Sequence, residues 1–199
     1  DDTLVIFSSD NGPVWYENDV ARFDHDSSGG LRGMKADAWE CGHRMPWIAR
    51  WPGRVAAGST SDQTICFTDM LATFAAIVDV PLPDDAGPDS FNILPALQGA
   101  AERPIRDALV IRSGAKVMTI RMGPWKLITA LGSGGFSDPK RVTPAPGDPT
   151  GQLYNLVEDI GETHNLYAQR PEIVERLMKK LNQIQSQDRS RPATRARSK

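Results

Sequence analysis

The chain has 199 residues, 40% of them hydrophobic and 24% charged, with 23 basic against 25 acidic side chains and a formal net charge of -2. Those values fit an ordinary globular chain of one or two domains and exclude a disordered protein, a collagen and a disulfide scaffold. No apolar run approaches the roughly 20 residues that span a bilayer, and a near-neutral balance argues against a general nucleic-acid-binding surface, which is normally basic.

In chain order, the first predicted element is a strand over Thr3 to Ser8, a β-branched and aromatic run of the kind buried in a parallel sheet. It has no preceding element and reads as a piece that starts inside a sheet. Ser9-Asp10-Asn11-Gly12-Pro13 forces a turn at its carboxyl end, the position where open α/β sheets bind ligands. Val14 to Lys35 shows neither period 2 nor period 3.6 and reads as a long loop. Pro46 to Gly53 brackets a short strand. Thr68 is placed to cap a helix whose apolar face is Met70, Leu71, Phe74, Ile77 and Val78, ending near Asp79 before Pro81. Pro83 to Ser90 is a turn-rich linker, and Ile93 to Gly99 a short helix stopped by glycine.

From Asp107 the texture changes to hairpins, with strands over Ala108 to Arg112, Lys116 to Arg121 and Trp125 to Thr129. Gly132 to Gly151 is predicted as a mobile loop, Gln152-Leu153-Tyr154 as an edge strand, and Pro171 as the N1 residue of a helix burying Ile173, Val174, Leu177, Leu181 and Ile184. The predicted division is therefore 1–105, an α/β part, 106–187, a small antiparallel part with a C-terminal helix, and 188–199, a disordered basic tail. The tail holds five basic residues and one acid, or +4, which leaves -6 for the body. Cys41 and Cys66 are too few for a disulfide framework and do not fix a redox compartment.

Asp10 and Asn11 place a carboxylate and a carboxamide oxygen side by side at a strand end, hard donors of the kind calcium or magnesium requires. Asp-Asn-Gly is also an ordinary turn sequence. Lys35 follows Gly30-Leu31-Arg32-Gly33-Met34, where glycines let backbone approach a ligand and the lysine supplies a compact positive charge suited to a sulfate or phosphate oxygen. His43 stands beside Arg44 with no second histidine at ligand spacing.

Taken together, Phe7 to Gly12, Gly30 to Lys35 and Trp39-Glu40-Cys41-Gly42-His43-Arg44-Met45-Pro46 through Trp51-Pro52-Gly53 closely resemble the second half of the sulfatase family. Later landmarks agree: Thr68-Asp69-Met70, Gly123-Pro124-Trp125-Lys126-Leu127-Ile128, Leu153 to Leu156 and Asp159 to Leu166. The resemblance implies the C-terminal portion of an alkaline-phosphatase-like α/β fold followed by a small antiparallel subdomain with a C-terminal helix. It implies that Asp10 and Asn11 help complete a calcium site and that Lys35 contacts the sulfate as a catalytic and substrate-binding residue. It also implies that His43 lies in the substrate-binding region, with Glu40 to Arg44 supporting the pocket from behind. Cys41 stands where the family more often has glycine.

The departures concern the nucleophile. The family uses a formylglycine made from Cys or Ser in Cys/Ser-x-Pro-x-Arg. Neither Cys41 nor Cys66 fits, and Ser190-Arg191-Pro192-Ala193-Thr194 has threonine where arginine is required. The family's aspartate pair, catalytic histidine and other lysine are expected upstream of this chain's first residue. The expectation is a sulfatase portion acting on sulfate esters that is inactive alone. Two other readings stay open: a non-catalytic binding or interaction fragment that self-associates through an exposed sheet edge, and a phosphoester or phosphonate hydrolase of the same superfamily.

Overall fold

The computed structural model describes residues 2–193. Strand β1 (Val5–Ser8) pairs with β2 (Trp47–Arg50) in a two-stranded sheet. Between them lie helix α1 (Glu17–Phe23) and a 3₁₀ turn, Glu40–Gly42. Helices α2 (Asp69–Ile77) and α3 (Leu94–Leu97) precede a four-stranded sheet of β3 (Leu109–Arg112), β4 (Met118–Met122), β5 (Trp125–Ile128) and β6 (Gln152–Asn155), in that order across the sheet. The final helix is α4 (Pro171–Gln187). The mixed α/β class, the small antiparallel sheet and the C-terminal helix are as the sequence implies.

β4 and β5 are antiparallel with Met122 opposite Trp125, so Gly123-Pro124 is a two-residue turn. β6 pairs antiparallel with β5, Leu127 opposite Leu153. In α4, Val174, Leu177, Leu181 and Ile184 are buried, a spacing of three and four that lines one helical face.

The described residues divide into two compact units. One draws on 2–7, 48–109 and 182–193; the other on Ser8–Trp47 and Val110–Leu181. The units therefore cut across the expected boundary at 105/106, because the polar loops after β1 pack with the antiparallel sheet. Ala38 and Trp39 join Ile128, Tyr154 and Leu156 in one buried cluster, with Val117 against it.

Five expectations require correction. The segment 14–35 is not all loop: α1 forms there, opened by Tyr16 N–H donating to the Asp19 carboxylate at 3.1 Å and ended by Asp24 in the left-handed region. It buries no residue, so no apolar period marked it. α2 buries Asp69, Ala72 and Thr73 and exposes Leu71, Phe74 and Val78 of the predicted face, with Met70 and Ile77 half-buried. The Asp69 carboxylate is the reason: it accepts the Cys66 and Phe91 N–H groups and pairs with buried Arg106, whose guanidinium lies over the Phe91 ring. Thr68 makes no side-chain cap and donates to Asp89 O. In the loop after Gly132, Phe136 and Ser137 N–H groups donate to Asp37 at 2.7 and 3.1 Å, and Leu131 bridges to Val142. Within the expected tail, Arg189 donates to Asp84 O and Ser190 to Asp89, while Arg191 donates to the carbonyls of Pro83 and Ala86. Thr194 and the residues after it lie outside the described residues.

Candidate functional site

Three segments far apart in their side-chain chemistry are laced together through their backbones in the second unit. Gly12 N–H donates to Gly42 O, Lys35 N–H to Pro13 O at 2.8 Å, and Cys41 N–H to Arg32 O at 2.9 Å. The Asp-Asn-Gly turn, the segment ending in Lys35 and the 3₁₀ turn before His43 therefore form one continuous floor. Gly12 is obligatory there, since a Cβ would overlap the Cys41 carbonyl; Gly42 is pressed in the same way against the Asp37 and Met34 carbonyls.

On this floor the Asn11 amide donates to Gly12 O at 3.0 Å, and its carboxamide oxygen has no donor among the described residues. The Asp10 carboxylate and the Lys35 ammonium likewise have no hydrogen-bond or ion-pair partner among the described residues. Asp10 is exposed, and Asn11 and Lys35 are half-buried. Two adjacent hard oxygens fit part of a calcium shell, which takes about six to eight. Among the described residues no group of three or more His, Cys, Asp or Glu side chains is placed to hold a metal.

Buried Asp37 fixes the segment that carries Lys35. Its carboxylate accepts the Met34 N–H at 2.8 Å through one oxygen and the Phe136 and Ser137 N–H groups through the other. A loop expected to be free is thereby tied two residues from Lys35.

Behind His43 lies a buried charge network. Glu40 Oε1 meets His43 Nε2 at 3.2 Å and Lys126 Nζ at 2.9 Å, while Oε2 takes Arg44 Nε and Nη2 at 3.0 and 2.6 Å. Lys126 Nζ also lies 2.8 Å from Glu162 Oε1, and Glu162 Oε2 accepts the Glu40 N–H at 2.6 Å. Arg32, stacked over Trp39, donates to Glu162 O at 2.6 Å. Burial alone would push the Glu40 carboxyl up, but its hydrogen bond to His43 and the charge on Lys126 outweigh burial and hold it well below the usual carboxylate range. Burial keeps Glu162 raised despite Lys126. The His43 imidazole is pushed below its ordinary value, first by burial and then by Lys126 and Arg44 against the pull of Glu40.

Asp37, Lys126 and Glu162 carry no role in the sequence reading. Lys126 and Glu162 fall inside quoted motifs, but only the fold shows that a lysine in a buried strand faces two carboxylates.

The Sulfatase family profile matches residues 1–80. An N-acetylgalactosamine-6-O-sulfatase of Bacteroides thetaiotaomicron is 33% identical over 193 residues, 94% of this chain and 37% of that protein. The chain belongs to the sulfatase family. Human arylsulfatase A is 31% identical over 196 residues, again 37% of its length. Among solved structures, a Bacteroides thetaiotaomicron sulfatase from work on the metabolism of multiple glycosaminoglycans superposes with a TM-score of 0.79 at 32% identity, over 92% of this chain and 39% of that one. A Pseudoalteromonas sulfatase shares the fold with a TM-score of 0.72. This sulfatase chain thus spans less than two-fifths of the length of these relatives.

Proposed function

We propose that the chain is part of an enzyme hydrolysing sulfate esters, in which Asp10 and Asn11 supply calcium ligands and Lys35 binds the sulfate. The observation that supports this reading is the backbone lacing of the three motif segments, together with an Asp10 carboxylate and a Lys35 ammonium that have no side-chain partner among the described residues. A bound calcium ion would act as a Lewis acid toward sulfate oxygens. Lys35 would hold a positive charge against the negative charge that grows on those oxygens, a preorganised electrostatic contribution. The formylglycine nucleophile belongs to a Cys/Ser-x-Pro-x-Arg segment, and neither Cys41 nor Cys66 stands in one. The Ser137-Asp138-Pro139-Lys140-Arg141 run that fits it in letters lies in the loop after Gly132, far along the chain from the Asp10-Asn11-Gly12 turn, so turnover is not expected from these residues alone.

Amide NMR titration of the chain tests the assignment. Calcium should move the Asp10 to Gly12 resonances in the wild type and not in Asp10→Ala, and sulfate should move Lys35 in the wild type and not in Lys35→Ala. Stronger perturbation by phosphate than by sulfate would favour a phosphoester hydrolase. Multiple turnovers of 4-nitrophenyl sulfate by the chain would refute the expected inactivity.

A second reading rests on the first unit, where Phe7 and Ile48 of the two-stranded sheet and Leu71, Phe74 and Val78 of α2 are exposed. Apolar surface of that kind suits association with a second polypeptide surface.

A further inference from the structure

The network behind His43 assigns that residue a specific hydrogen-bonding polarity. An ionised carboxylate accepts and never donates, so the contact between Glu40 Oε1 and His43 Nε2 requires the proton on Nε2. The neutral ring then presents Nδ1 as a lone-pair acceptor. Nδ1 is buried and has no hydrogen-bond partner among the described residues, an uncompensated state for a polar atom. An acceptor cannot bind a sulfate oxygen, which is itself an acceptor. It can receive a hydroxyl or an amide N–H.

Glu40 is in turn fixed from two sides. Fully buried Lys126 bridges its Oε1 and Glu162 Oε1, while Glu162 Oε2 takes the Glu40 backbone N–H. The carboxylate can neither rotate away nor take up a proton without leaving the Lys126 ammonium with a single counter-charge. Arg44 occupies the second Glu40 oxygen, which leaves Oε1 for the ring.

We propose that Lys126 and Glu162 are positioning residues that lock Glu40 onto His43 Nε2–H, so that His43 Nδ1 accepts a hydroxyl or amide N–H from the alcohol half of the ester. What this selects for is a hydroxyl or N–H donor on the alcohol half of the sulfate ester. The inference rests on the reading of His43 as a substrate-binding residue.

The chain has three histidines, so ring-nitrogen labelling gives a simple spectrum in which His43→Gln identifies the His43 signals. Long-range proton–nitrogen correlation at neutral pH should show His43 neutral, with its proton on Nε2. Glu162→Gln keeps an acceptor for the Glu40 N–H but removes the charge, and Lys126→Met removes the bridge. Each should lower the Nε2–H to Nδ1–H ratio about tenfold, the effect of losing one hydrogen bond's worth of bias, and Lys126→Arg should restore it. If Lys126→Met does not fold, Glu162→Gln decides. A wild-type ring protonated on Nδ1 or on both nitrogens overturns the proposal, as does an unchanged ratio in folded Glu162→Gln. Galactose 6-sulfate should shift the Nδ1 resonance and inorganic sulfate should not; equal shifts by both would also overturn it. Failure of Lys35→Ala to weaken sulfate binding would count against the sulfate reading alone, because the tautomer is measured without ligand.

Discussion

Replacing Asp37 by alanine removes one buried carboxylate and strands three backbone donors, those of Met34, Phe136 and Ser137. Hydrogen bonds to a charged acceptor contribute about 1.5–3 kcal/mol each, and the donors at Phe136 and Ser137 are partly wet, so the expected loss is about 3–5 kcal/mol. With a urea m-value near 2 kcal/mol/M, the unfolding midpoint should fall by about 1.5–2.5 M. Asp37→Asn keeps one acceptor oxygen but turns an NH2 toward one set of donors, and should lose about half as much. Circular dichroism under urea measures both variants. Amide exchange at Phe136 and Ser137 should accelerate before exchange at Ile120 in β4, because the anchor fails locally first. A midpoint for Asp37→Ala within about 0.5 M of the wild type, roughly 1 kcal/mol at that m-value, would refute the claim that this carboxylate holds the segment bearing Lys35.

Gly12→Ala drives a Cβ into the Cys41 carbonyl and should destabilise by about 3 kcal/mol or more, whereas Gly53→Ala, at a φ of +73° with nothing within 4 Å, should lose only about 1 kcal/mol for the left-handed backbone; urea midpoints compare them. His43 has a folded pKa below its ordinary 6.5, so the unfolded chain binds more protons and the stability it contributes is present above that pH and lost as pH falls below it. Glu40 behaves in the same sense below its ordinary 4.5, and Glu162, being raised, in the opposite sense. Urea midpoints across pH 5 to 7 should therefore decline on acidification in the wild type and flatten in His43→Gln; an equal slope in both would be contrary. Light scattering at micromolar concentration should give particles heavier than the 21.8 kDa chain, reduced by Leu71→Glu with Phe74→Glu, and a clean wild-type monomer would remove the case for an adhesive apolar face.

Local order was legible where one residue's neighbours in sequence are also its neighbours in space. The Met122 to Trp125 turn, the face of α4 and the break after β1 follow from glycine, proline and periodicity. The α2 face did not, because an Asp69–Arg106 pair 37 residues apart overrode the apolar pattern. The loop after Gly132 looked free because its anchor, Asp37, lies 99 residues from Phe136. For the site, Asp10, Asn11, Lys35 and His43 were named from motifs, yet what holds them was not. Lys126 sits in a strand covered on both faces, and its partners are Glu40 and Glu162. No local signal distinguishes such a lysine from a solvated one.

The distance along the chain between Glu40 and Glu162, 122 residues, has a consequence for how the protein is made. During synthesis Glu40 emerges with Arg44 and His43 beside it, but well before the strand carrying Lys126 and the turn carrying Glu162. Closing loops of that length costs entropy before any contact rewards it. The bridge from Lys126 to Glu40 and Glu162 therefore closes only after the local contacts around Lys35 and Glu40 can already have formed.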